Sequence, residues 1–302
     1  MSRRRSVGPA HLEQTGTSPK ASTATDPQHT MSSQQVSQPP APVTQKPVVQ
    51  TALQLLTQLK PHITNPYLDP GNWNKFHITC GVPLDLKWES SNGGDFLRLV
   101  TYEKMQQIAS QYGFNSMRNL SPDPDHPFHN SSLVSSHLDG HIFSVYQNKF
   151  LSSQSRWYFR QPSDWENKSL RYLLPSEEKW MVEYISGVKD SNLPHINCTV
   201  VQVDKLQDDK LMFSEVWSIL MLTLLFFHRF PESKCEVVPV TVVTISGTTF
   251  RIVQGFADGK KTNVKIRKSS VVSIGAEEEN VKNQMMLILR WLLAEPIWPS
   301  KH

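Results

Sequence analysis

The sequence predicts an α+β fold: a largely antiparallel sheet with packed helices, a C-terminal strand, helix, strands, helix unit, and a disordered N-terminal tail. Three observations carry that expectation. Residues 1–50 are rich in Ser, Thr, Gln and Pro and nearly free of large apolar side chains, so they cannot bury enough surface to offset chain entropy. Residues 236–274 form short strand-like runs broken at Ser246-Gly247 and Asp258-Gly259, turns too short for the crossovers that parallel neighbours need. A run that is apolar on all sides, VWSILMLTLLFF at 216–227, precedes them and marks a core helix.

Taken in order, the tail carries Pro39, Pro40, Pro42 and Pro47, a spacing that suits polyproline conformation or a solvated linker. Residues 50–60 then place Ala52, Leu55, Leu56 and Leu59 on one helical face before Pro61, in a helix too short to hold alone in water. The chain divides into a tail at 1–50, a short amphipathic helix and linker at 51–65, and one α+β domain at 66–302, separable into lobes 66–190 and 191–302. A strand is expected around Phe76, Ile78 and Cys80. Thr101 caps a helix over 101–112 that turns Tyr102, Met105, Ile108, Ala109 and Tyr112 inward, and Gly113 stops it. Residues 121–132 have the composition of a loop, and aromatic strand-like pieces follow at 142–146 and 156–159. Pro175 and Ser176 open a predicted helix over 177–186, with Met181 and Ile185 one turn apart. Residues 195–203 read as a strand and lead to the buried helix from Phe213.

In the last third, residues 236–246 are apolar on both faces, Val238, Val240 and Val242 against Val237, Val243 and Ile245, as in a central strand. Residues 249–257 alternate Phe250, Ile252 and Phe256 with Thr249 and Arg251, the pattern of a half-exposed strand. Asp258-Gly259 marks a hairpin, after which Val264 and Ile266 alternate with Lys265 and Arg267, and Val272 with Ile274. The closing helix, 277–294, sets Val281, Met285, Ile288 and Leu292 on one face with glutamates at its N-terminus, and Pro296 ends it. Met286, Leu287, Trp291 and Leu293 widen the apolar arc. The helix from Phe213 is expected to cover part of it, leaving Leu287 and Trp291 for a partner.

Charge narrows the functional classes. The chain has 31 Lys and Arg against 27 Asp and Glu, and the tail supplies most of the excess through Arg3, Arg4, Arg5, Lys20 and Lys46. The rest is nearly neutral, which disfavours a binder that works by neutralising many phosphates. No apolar run follows Arg3 to Arg5, and the longest apolar stretch falls short of the roughly 20 residues a membrane span needs, so cytoplasm or nucleus is expected. Cys80, Cys198 and Cys235 are odd in number and widely spaced, as reduced thiols are. The Asn-x-Ser/Thr sequons at Asn119, Asn130, Asn167 and Asn197 carry no weight in those compartments.

Several clusters could carry chemistry. His126, His129, His137 and His141, with Asp139, offer imidazole and carboxylate ligands suited to zinc. His137-Leu-Asp-Gly-His141 resembles the metal-binding segment of metallo-β-lactamase-like hydrolases, but Ser135 stands at that pattern's first position and Gly140 at its last. The order helix, three strands, helix over 213–294 resembles the core of the PD-(D/E)xK nuclease-like fold, whose acid and acid-x-Lys pair hold Mg²⁺ on adjacent strands. Asp258 and Asn263-Val264-Lys265 occupy those places, with Asn in place of the second acid. Lys260, Lys261, Lys265, Arg267 and Lys268 form a basic hairpin. Trp157, Tyr158, Phe159, Trp165, Tyr172, Trp180 and Tyr184 crowd one stretch as core packing. The basic runs before Ser6 and Ser270 would suit a basophilic kinase. The reading these features favour is a non-enzymatic interaction or regulatory module with a protein partner and no cofactor. A zinc hydrolase using the 126–141 cluster, and a nucleic-acid-binding or degenerate nuclease-like domain using 258–268, are its alternatives.

Overall fold

The structure, a computed structural model, describes residues 46–87, 89–90, 92–112, 127–142, 145–146, 149–150, 155–160, 179–188, 190, 193–275 and 277–298. The tail expected at 1–50 lies outside them up to residue 45. So do Tyr112's side chain, residues 121–126 of the expected loop, His126, Trp165, Tyr172, Pro175 and Ser176.

Among the described residues the helices are α1 (Pro47–Leu59), α2 (Tyr102–Tyr112), α3 (Pro127–Ile142), α4 (Phe213–Arg229) and α5 (Glu278–Leu292). The strands are β1 (Tyr67–Leu68), β2 (Ile78–Cys80), β3 (Leu97–Arg98), β4 (Val145–Tyr146), β5 (Lys149–Phe150), β6 (Trp157–Arg160) and β7 (Trp180–Val188). They continue with β8 (Ile196–Gln202), β9 (Leu211–Met212), β10 (Val240–Ser246), β11 (Thr249–Asp258), β12 (Asn263–Lys268), β13 (Val272–Ser273) and β14 (Glu295–Pro296). The main sheet has eight strands in the order β2-β12-β11-β10-β8-β7-β6, with β13 beside β11. Two of its pairings, β8 with β10 and β12 with β2, are parallel and the others antiparallel. The architecture is therefore α+β with a largely antiparallel sheet. Its parallel β8/β10 pair is closed by the crossover helix α4. The sheet takes strands from both sides of residue 190.

Two cores form, one on each face. Side chains of α1 and α4 pack with Val240, Val242, Val253 and Val264 on one face. Those of α2, α3 and α5 pack with Val243, Ile245, Phe250 and Ile252 on the other. This is the period-2 split expected of β10, which sits mid-sheet and is buried along its whole length. Thr101 caps α2 as expected, its Oγ1 accepting the Lys104 N–H at 3.3 Å.

The structure corrects five expectations. Residues 177 and 178 of the helix expected over 177–186 lie outside the described residues, and from Trp180 on it is the strand β7, in which Val182 and Tyr184 are opposed to Val200 and Thr199, consecutive residues of β8. Met181 and Ile185, four apart, were expected to share a helical face; the bulge at Glu183 breaks the two-residue alternation and puts them on opposite sides of the strand, Met181 46% exposed and Ile185 buried. The loop at 121–132 is helical from Pro127, whose fixed φ suits a first helical turn. The buried Asn130, Ser131 and Ser135 gave α3 a loop-like composition. β11 is buried on both faces, since Arg251 is fully enclosed. At Asp258-Gly259 the hairpin closes through a longer loop whose positive φ falls on Thr262, while Asp258 Oδ1 accepts the N–H groups of Lys260 and Lys261 at 3.0 and 3.3 Å. Gly259 is needed there because a Cβ would stand 2.5 Å from the Val48 nitrogen at the start of α1. Finally, α4 does not cover α5: the sheet separates them. The flank of α5 is closed by its own core, with Leu287 6% exposed and Trp291 0%.

Candidate functional site

The β11-β12 hairpin brings the nuclease-like trio together. Asp258 is the last residue of β11 and pairs with Asn263, the first of β12; Lys265, two residues on, lies on the same face of the sheet. Lys265 Nζ stands 3.0 Å from Asp258 Oδ2. Burial alone would raise the Asp258 pKa, but the Lys265 ammonium and the N–H groups of Lys260 and Lys261 outweigh it and hold the carboxyl below its ordinary range. Asn263 Nδ2 donates to Thr79 Oγ1 at 3.2 Å. The donor set is thus one carboxylate, already answered by an ammonium, and one neutral amide. Hard divalent cations favour several charged oxygens, which this arrangement lacks.

Beside this trio the same face of the sheet, together with the segment from Asp95, encloses a cleft of about 200 Å³ lined by Thr79, Asp95, Phe96, Gln254, Phe256, Lys265 and Arg267 among others. Arg267 Nη1 donates to Asp95 Oδ1 at 2.8 Å and Nε to the Val82 carbonyl at 2.8 Å. Phe96 and Phe256 meet edge to face at 5.4 Å, and the Lys265 ammonium lies 5.3 Å from the Phe256 ring centre.

The basic patch is divided and mostly answered. Lys260 pairs with Glu236 at 2.6 Å, Lys265 with Asp258 and Arg267 with Asp95. Lys268 is on the opposite face and donates to the Asp208 carbonyl; burial and the Arg251 charge lower its pKa. Lys261 is exposed on the turn.

On α3, His129 and His137 are exposed, and His141 and Asp139 half-buried. Burial, with the His137 charge, pulls His141 down to about 4. Burial raises Asp139, which is hydrogen-bonded to Tyr184, and also raises Glu183. Among the described residues no three His, Cys, Asp or Glu side chains come together as metal ligands. Of the aromatic stretch, Trp157 is core, with Nε1 donating to the Ala294 carbonyl at 2.7 Å, whereas Tyr158 is half exposed.

Four side chains to which the sequence reading gave no functional role are buried and paired. Glu215 and Arg251 pair in the core, Gln254 sits at the floor of the cleft, and Arg290 of α5 reaches the carbonyls of Lys87, Ser90 and Val100. Their signal was a charge or amide inside an otherwise apolar run.

No protein-family model matches the chain, and neither a curated protein nor a solved structure matches it.

Proposed function

We propose that the domain is a non-enzymatic interaction or regulatory module of the cytoplasm or nucleus, acting through a protein partner. The observation that carries this reading is the occupied state of Asp258, with Lys265 on its carboxylate and Asn263 where a second acid would be needed. An acid so neutralised neither gathers a divalent cation strongly nor serves as a general base near neutral pH. A protein partner is supported by Tyr158, Phe230 and Trp298, large aromatic side chains left 42–50% exposed. Compartment is supported by three cysteines that are free and by two sequons, Asn130 and Asn197, that are buried. No described helix is long and apolar enough to cross a membrane.

The test is cleavage of single- and double-stranded DNA and RNA in Mg²⁺ or Mn²⁺ by the whole chain. The expected rate equals that of Asp258→Ala; metal-dependent cleavage that this variant loses would overturn the reading.

A further inference from the structure

We draw no further inference here: the strongest candidate, the aromatic pocket of about 70 Å³ between the C-terminal turn of α4 and strands β6 and β7, with Tyr158, His195, Phe226 and Phe230 in its lining, is an apolar surface with nothing in the structure to show what covers it.

Discussion

Glu215 of α4 and Arg251 of β11 meet at 2.6 Å with both side chains fully buried. Glu215 also accepts from Thr244 Oγ1 at 2.9 Å and from the Met212 N–H at 2.8 Å, while Arg251 Nη1 donates to the carbonyls of Gln207 and Lys210. One network thereby joins the start of α4, two central strands and the loop before β9. Because all three guanidinium nitrogens and both carboxylate oxygens have partners, the desolvation of two charges is offset.

Removing one member leaves the other charged and dry. Arg251→Met or Glu215→Leu alone should cost about 3–5 kcal/mol, whereas the double variant should recover most of that loss. Urea unfolding of the four chains closes the cycle. Additive single costs would show that the two groups act independently.

This pair also marks where sequence reasoning stops. β10 and α4 were legible because each is apolar on every side, a pattern only a central position tolerates. Arg251 was read as solvent-facing, since alternation with Phe250 and Ile252 cannot distinguish water from a buried carboxylate thirty-six positions earlier in the chain. β7 was lost to a bulge and α3 to its buried serines, both local departures that the opposing strand or sheet sets. In the candidate site the Asp258, Asn263, Lys265 order was legible. The burial of the Gln254 amide was not, because its Nε2 donates to the Gly93 carbonyl 161 residues away.

His195 should make stability depend on pH. It is 2% exposed, Nε2 lies 3.0 Å from the Ile297 carbonyl, and burial lowers its pKa from 6.5 to about 4 against the pull of the Ile297 and Phe96 carbonyls. Between those values the unfolded chain binds a proton that the folded chain refuses, so stability falls as pH drops from 6.5 toward 4. His141 acts in the same direction, while burial-raised Asp139 and Glu183 act against it. The clean measurement is therefore a difference: His195→Gln should remove about 1.36 kcal/mol per pH unit from the wild-type slope in that window. Parallel slopes would mean that His195 protonates freely in the fold.

α1 belongs to the folded body. Val48, Ala52, Leu55, Leu56 and Leu59 are buried against α4 and the sheet, and the Lys46 ammonium lies 4.9 Å from the Phe227 ring centre. At about 1.5–3 kcal/mol for each buried leucine, this face rivals the ~5–15 kcal/mol net stability of a domain. A chain starting at residue 44 should unfold cooperatively, and one starting at residue 61 should not. Equal unfolding transitions by circular dichroism would make α1 dispensable.

The closing helix gives the sharpest contrast between a covered and an open face. Ile288 is 0% exposed at the centre of the second core, so Ile288→Ala should cost about 2–5 kcal/mol through lost burial and a cavity. Leu287, on the flank once expected to meet a partner, is 6% exposed in that same core. Leu287→Glu would place a carboxylate there without a cation opposite, and burying an unpaired charge costs more than deleting methyl groups. It should therefore unfold the domain at least as badly as Ile288→Ala, while Lys282→Glu, exposed one turn earlier, should leave Tm nearly unchanged. If Leu287→Glu instead melts with Lys282→Glu, the flank opens in solution and becomes a surface on which a partner could dock.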